Sequence, residues 1–324
     1  MCNFFLMSYS KNTKEIKGDA SFRKFFRKKN KKFTSIVVFS KKEKLKNLLI
    51  YDAINKILNK SKILAPQLHK ENYLKNYIEI QDFGNDSIFS ILKKNRKNKF
   101  LYYKNVIKVL NKVQLIKIRS VINFKNKKYI IPKYSKSILI QEANLFCDWY
   151  VKKFLSKKKT LKFKKKFNRL IKKLTTNLKL KNDVFVHRDF HISNLMIVKK
   201  KIGIIDSQDA LIGNKAYDLA SLIDDVRLET SRSLKDKIFN FYLSKQKKID
   251  KLKFKNDFEI LSILRNLKII GIFSRLAIRD GKKDYLKLIP YAWSLINMRM
   301  NENKIFLELK DLLSENFKGK LNEN

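Results

Sequence analysis

Residues 184–210 carry polar side chains whose types and order suit one chemistry. His187-Arg188-Asp189 follows the apolar run Val184-Phe185-Val186, Asn194 stands five residues after Asp189, and Asp206 ends the run Ile202-Gly203-Ile204-Ile205. Moving a phosphoryl group requires a carboxylate that orients the acceptor hydroxyl and takes its proton. It also requires two oxygen ligands for Mg²⁺, a hard cation. Asp189 can supply the first, and Asn194 with Asp206 the second. The apolar runs 195–198 and 202–205 predict a hairpin around a lysine-rich turn, which brings Asn194 and Asp206 to one end. Taken singly, a His-Arg-Asp triplet can be a loop salt bridge, and a strand ending in Asp is ordinary. Order and spacing together carry the reading. Two of the three His lie in this stretch, and seven of the 18 Asp fall within residues 183–225. Acidic residues thus persist here in a chain otherwise rich in lysine. His191 reads either as a residue that orients the loop or as one with a direct role.

These groups need a frame. In residues 21–27, alternation sets Arg23, Phe25 and Arg27 on one strand face and Phe22, Lys24 and Phe26 on the other. Gly18-Asp19 is a turn signal before it, and Thr34–Phe39 reads as a further strand. Leu45, Leu48, Leu49, Ile54, Ile57 and Leu58 recur at helical spacing, and Tyr77–Ile80 is a short strand followed by a polar break at 81–86. Beyond the break the pattern is helical over 138–155, 161–178 and from about 215 to 317. The expectation is an α+β chain with a strand-rich lobe over residues 1–80, a hinge at 81–86 and a helical lobe over 87–324. Two lobes with a hinge suit a bound nucleotide.

Composition narrows the function classes. With 324 residues, 44% hydrophobic, the chain can bury a large core. The net charge of +46 raises nucleic-acid binding as a class. Lysine, however, is spread along the whole chain rather than gathered on one segment, so the charge reads as compositional drift, and no specific nucleic-acid partner is expected. Cys2 and Cys147 permit neither a disulfide framework nor a zinc site of cysteine spacing. The apolar stretch Phe258–Leu276 is interrupted by charged and polar residues and reads as a core helix, not a membrane span. The start of the chain lacks the basic and apolar regions of a signal peptide. A cytoplasmic setting is expected.

Four stretches resemble the aminoglycoside phosphotransferase superfamily, and within it the bacterial anomeric kinases of N-acetylmuramate and N-acetylglucosamine. They are Gly18-Asp19-Ala20-Ser21-Phe22-Arg23; His187 to Asn194; Asp206 to Ala210 with Tyr217 to Leu222; and Gly271 to Leu276 with Arg279-Asp280-Gly281-Lys282. The resemblance implies a protein-kinase-like fold with ATP and Mg²⁺. It implies Asp189 as base and Asn194 and Asp206 as metal ligands. It lays Asp19, Ala20, Ser21, Phe22 and Arg23 over the ATP phosphates and Gln81, Asp82 and Phe83 against adenine, and it has His187, Arg188 and Asp218 support the catalytic loop. Ser207 departs from the usual Phe, which is expected to alter packing only. The strand at 35–39 lacks the phosphate-pairing Lys of kinases, Lys41 and Lys42 come too late, and Arg23 or Arg27 is the candidate replacement. Glu142 reads as a substrate contact or a helix cap.

Tyr217 comes only eleven residues after Asp206. No segment for docking a polypeptide fits there, so the expected acceptor is small. The leading expectation is an ATP-dependent kinase of an amino sugar, at its anomeric hydroxyl, in cell-wall sugar recycling. Aminoglycoside or choline-like acceptors are the alternative, with Asp224, Asp225 and Glu229 as an acidic lining. A basic nucleic-acid-binding protein on an inactive kinase scaffold would have lost one of the three catalytic positions, and all three are present.

Overall fold

Alternation and helical periodicity resolve into a long series of short elements. The computed structural model describes residues 13–16, 23–29, 33–94 and 98–321. In chain order it contains strands β1 (Thr13–Ile16), β2 (Lys24–Lys29) and β3 (Thr34–Phe39), helix α1 (Lys46–Lys60), strands β4 (Leu68–Asn72) and β5 (Tyr77–Gln81), helices α2 (Ile88–Lys94) and α3 (Lys99–Gln114), and short strands β6 (Ser120–Ile122) and β7 (Lys128–Ile130). Helices α4 (Lys136–Leu145) and α5 (Lys157–Thr176) follow, then strands β8 (Asn182–Val186), β9 (Leu195–Val198), β10 (Lys201–Ile204) and β11 (Leu211–Asn214). The chain ends in helices α6 (Ala216–Ile223), α7 (Arg232–Ser244), α8 (Lys251–Arg279), α9 (Ile289–Met300) and α10 (Leu307–Leu321). Two compact units result. The first takes in the described residues through 94, then 111–131 and 192–210; the second takes in 98–110, 132–191 and 211–321.

The first unit is built on a five-stranded antiparallel sheet of order β1-β2-β3-β5-β4. The β-branched run Ser35-Ile36-Val37-Val38 favours extended backbone. On one face Val38, Ile78 and Ile80 meet Leu48 and Tyr51 of α1, which stand three residues apart and so share a helix face. Burying such side chains contributes about 1.5–3 kcal/mol each. Glu79 is buried in the middle of β5, and its carboxylate is satisfied by Ser35 Oγ at 2.6 Å and Lys28 Nζ at 3.0 Å. Strands β9 and β10 form a separate hairpin in this unit.

The second unit is helical around α8, whose 29 residues span about 44 Å. Asp250 caps its start by accepting from the N–H groups of Leu252 and Lys253, both at 3.1 Å. Its end is closed by Gly281, whose φ of +68° lets Lys282 N reach back to Leu276 O at 3.0 Å. The stretch Arg279-Asp280-Gly281-Lys282 is therefore a helix stop. Gly271 also has a packing reason. Its backbone lies so close to Leu145 that an added Cβ would stand 2.3 Å from the Leu145 carbonyl carbon. There α4 widens into a π turn over Phe146–Val151 and runs on to Phe154. Phe146 packs in this core against Phe163 and Phe167 of α5, Trp293 of α9 and Phe317 of α10. In α5, Phe163, Phe167, Leu170, Ile171 and Leu174 are buried while most of its lysines face water, so there the charge is a solvated helix face.

Candidate active site

In the first unit, β9 and β10 pair with Leu195 opposite Ile204 and Val198 opposite Lys201. Lys199 and Lys200 turn the corner at φ +46° and +64°, the left-handed pair that a two-residue hairpin loop requires. One further bond, Ile205 N to Asn194 O at 3.0 Å, extends the pairing. Asn194 and Asp206 thus leave the hairpin at the same end. Asp206 has φ +60°, a conformation that Asp adopts more readily than most residues.

Arg23 converges on that end. Its Nη2 donates to Asp206 Oδ1 at 2.7 Å and its Nη1 to Gln208 Oε1 at 2.7 Å, while its guanidinium lies 5.5 Å from the ring centres of Phe25 and Tyr51. Burial raises the Tyr51 hydroxyl to about 12 despite the Arg23 charge beside it. Ser207 is fully buried and donates to Asn55 Oδ1 on α1 at 2.6 Å. A change of packing alone does not describe it: the hydroxyl ties the segment after the hairpin to α1.

Gln81, Asp82 and Phe83 follow from the end of β5. Gln81 N donates to Gln67 O at 2.8 Å. The carboxylate of Asp82 accepts from Gly84 N at 2.8 Å and pairs with Arg27 at 2.6 Å. Burial opposes ionisation of Asp82, but the Arg27 and Gly84 donors outweigh it and hold its carboxyl below the usual range. Arg27 also donates to Asn85 Oδ1 and Gly84 O, so its guanidinium is committed to this loop. Both candidate arginines are thus engaged, Arg23 at the hairpin end and Arg27 at this loop. The Phe83 ring is admitted by Gly203, where an added Cβ would meet Phe83 Cε2 at 2.6 Å. Asp19, Ala20, Ser21 and Phe22 lie outside the described residues.

In the second unit, the backbone after β8 turns sharply at His187-Arg188, with Arg188 at φ +73°. Asp218 of α6, 1% exposed, accepts from both N–H groups of that turn, His187 N at 2.7 Å and Arg188 N at 2.9 Å. Burial pushes Asp218 up to about 6. The Arg188 guanidinium pairs with Glu142 of α4 and lies 5.2 Å from the centre of the Tyr134 ring. Glu142 also accepts from Tyr134 Oη and, at 2.9 Å, from Lys268 Nζ of α8. It sits inside α4 as the hub of this network, neither a helix cap nor an open substrate contact. Although burial opposes it, Lys268 and Arg188 keep its carboxyl below the usual range. Asp189 is likewise held well below the ordinary carboxylate range: burial works against ionisation, and Lys268 leads the positive charges that overcome it. His191 N donates to Asp189 O at 3.0 Å, and burial drives the His191 ring toward its neutral form.

The acidic lining proposed for a cationic acceptor separates into unlike parts. Asp224 is sealed inside the second unit and accepts from Arg299 Nε at 2.9 Å and Ser262 Oγ at 2.6 Å, with Lys235 Nζ at 3.2 Å. A carboxylate so neutralised lines nothing. Glu229 is exposed, and Asp225 is buried beside Arg227.

The structure therefore groups Asn194, Asp206 and Arg23 in the first unit and His187, Arg188, Asp189 and Asp218 in the second. Among the described residues, no cluster of three or more His, Cys, Asp or Glu could hold a metal by itself. Two oxygen donors on one hairpin end, with the Asp206 side chain 34% exposed, fit instead a cation that shares its shell with phosphate oxygens. Sequence reasoning missed Lys268 and Tyr134. No local signal marks them, since Lys268 meets Glu142 across 126 residues.

A family model described as the phosphotransferase enzyme family matches residues 12–254. The chain is 27% identical over 281 residues to the N-acetylmuramate/N-acetylglucosamine kinase of Neisseria meningitidis serogroup B, covering 84% of this chain and 80% of that one. It is 27% identical over 304 residues to the N-acetylmuramate/N-acetylglucosamine kinase of Pseudomonas putida, covering 92% and 86%. The structure is similar to that of a choline/ethanolamine kinase family protein from Mesorhizobium loti, with a TM-score of 0.63 at 10% identity over 95% of this chain and 94% of that one. By that match along most of its length, and by its protein-kinase-like fold, the chain belongs to the phosphotransferase enzyme family.

Proposed function

We propose that this phosphotransferase is an ATP- and Mg²⁺-dependent kinase of N-acetylmuramate or N-acetylglucosamine, acting at the anomeric hydroxyl in cytoplasmic recycling of cell-wall sugars. The observation that carries the reading is the likeness, over 84% and 92% of the chain, to two proteins named for that activity. The geometry supports it. Strand β11 leads within two residues into α6, so the span after Asp206 holds no peptide-docking segment. A small acceptor follows. A carboxylate held as low as Asp189 is a weak base, which suits an anomeric hydroxyl, more acidic than an ordinary alcohol, and a loose transition state in which the proton moves late.

In this reading Asp189 accepts a hydrogen bond from the acceptor hydroxyl and takes its proton as the new O–P bond forms and the bond to ADP breaks. Asn194 and Asp206 would hold the metal, and Arg23 would meet the phosphates beside it. Bound Mg²⁺ supplies electrostatic stabilisation of phosphate charge. Asp19–Phe22 would cover the phosphates and Gln81–Phe83 would meet adenine, through backbone groups in the case of Asp82, since its carboxylate is taken by Arg27. His187, Arg188 and Asp218 would fix the turn that presents Asp189.

The test is ADP release against amino sugars, aminoglycosides and choline, followed by product chemistry. A sugar 1-phosphate, acid-labile and without a reducing end, is expected. A 6-phosphate only, or turnover of choline or kanamycin-like amines only, would defeat the sugar assignment and leave the kinase standing.

A further inference from the structure

Helix α6 brings Asp218 beneath the His187-Arg188 turn and hands the chain to a loop at Asp224. Asp225 lies in that loop, seven residues after Asp218, roughly 10 Å farther along the helix direction. It is 2% exposed. Its Oδ1 is clamped by two donors, Arg227 Nη1 at 3.1 Å and Arg227 N at 3.2 Å. Its Oδ2 is buried and has no hydrogen-bond partner among the described residues. The same loop holds a second buried polar atom without a partner, Thr230 Oγ1. Leaving a buried acceptor unmade is costly, and such atoms persist where a ligand or water completes them.

The arginines around this loop lie within electrostatic reach of the Asp189 turn. Arg265 donates to Asp224 O at 3.5 Å and lies close enough to Asp189 to favour its ionised form. Arg227, the clamp on Asp225, lies close enough to His191 to disfavour a charge there. Tyr103 stands near Asp225 and also near Tyr291, whose hydroxyl accepts from Thr230 N at 3.1 Å. A carboxylate oxygen near an aromatic ring suits a pyranose, which offers hydroxyl and amide donors at its rim and C–H groups on its face.

We infer that Asp225 is an acceptor-binding residue whose Oδ2 receives a hydrogen bond from a hydroxyl or amide N–H of the sugar, with Oδ1 and Arg227 fixing its direction. The inference rests on the sugar-kinase reading for the identity of the acceptor. The clamp makes Asp225→Asn informative. Both donors of Arg227 require an oxygen at Oδ1, so the amide NH₂ must take the place of Oδ2 and present a donor where the sugar also presents one.

The experiment compares Asp225→Asn and Asp225→Ala with the wild type for acceptor kcat/KM, nucleotide affinity by titration, and thermal unfolding. The acceptors are N-acetylglucosamine and analogues that each lack one donor. Both variants are expected to lose about 10- to 100-fold in acceptor kcat/KM, the effect of one hydrogen bond to a charged group, with nucleotide affinity within twofold. Asp225→Asn, which keeps the Oδ1 clamp, should leave the melting temperature unchanged, whereas Asp225→Ala, which loses it, should melt lower. One analogue should lose a similar factor with the wild type and nothing further with Asp225→Ala. An unchanged acceptor kcat/KM, additive losses for every analogue, or nucleotide affinity and melting falling together would overturn the inference in favour of a water-filled or structural site. If the wild type uses another acceptor, the sugar reading fails and the same comparison on that acceptor judges Asp225. A wild type with no acceptor dependence would overturn both.

Discussion

Gly271→Ala separates what the Gly271–Leu276 stretch does for packing from what it does for substrate. A Cβ at residue 271 would stand 2.3 Å from the carbonyl carbon of Leu145, 2.4 Å from its oxygen and 2.5 Å from Phe146 N, where ordinary contact begins at 3.4 Å. All three are backbone atoms, so no side chain can rotate away. Helices α4 and α8 must move apart by about 1 Å, at the π turn that seats Phe146 among five aromatic rings. Overpacking a core by one methyl costs about 1–3 kcal/mol and more against rigid neighbours. The better helix propensity of Ala returns about 1 kcal/mol. The net loss should be about 1–2 kcal/mol, a fall in Tm of about 2–3 °C. Gly319→Ala, in α10 with nothing within 4 Å of its would-be Cβ, is the matched control and should be neutral or slightly stabilising. The assay is thermal and urea unfolding of all three proteins. A Gly271→Ala protein as stable as the wild type would show that the close approach of α4 and α8 is absent in solution.

Three further outcomes are expected. Asp206→Asn, which tolerates the positive φ, should cut ATP-dependent turnover at least about 100-fold at saturating magnesium; near-normal turnover would remove Asp206 from the metal site. Wild-type kcat/KM should show no acid limb from Asp189 between pH 5 and 8, because its pKa lies below the usual range and the group stays ionised there. Lys268→Met should raise that pKa and move the acid limb upward, and an unmoved limb would mean that Lys268 does not set the charge on Asp189. Binding to DNA or RNA should be weak, indifferent to sequence and lost at physiological salt, as followed by anisotropy across a salt series; tight, salt-resistant binding would give the +46 charge a function.

Local features were legible in the sequence. Alternation located β2, β-rich composition located β3, a short apolar run located β5, and two apolar runs around a lysine turn located the β9–β10 hairpin and the shared end of Asn194 and Asp206. Contacts between distant residues were not legible. Arg23 and Arg27 share a strand face and looked equivalent, yet four residues of strand, roughly 13 Å, carry one to Asp206 and the other to Asp82. Glu142 and Ser207 were misjudged for the same reason: the partners that define them, Arg188 and Lys268 for one and Asn55 for the other, lie 46, 126 and 152 residues away.

The adjacent pair Asp224 and Asp225 looked alike for the same reason, and their divergence bears on the site. The helix ends at Asp224, where φ −104° and ψ 41° leave the α region, so the two side chains take different directions. In a chain with 75 Lys and Arg against 29 acids, a buried carboxylate does not lack a cation for want of supply. Asp224, Glu142 and Glu79 each meet one or two within 3.2 Å. Glu259 on α8 shows the other resolution. Its buried Oε1 is also without a hydrogen bond, Lys255 stands 3.7 Å away, and burial raises the group to about 7, so a proton can supply what the protein does not. Asp225 Oδ2 has no hydrogen-bond partner among the described residues. Arg227 Nη1 meets the carboxylate at Oδ1, and the backbone N–H of the same residue fixes it in that orientation. A chain able to place a lysine almost anywhere has left this oxygen oriented and, among the described residues, unfilled near Tyr103, which is the arrangement expected of a residue whose partner arrives with the substrate.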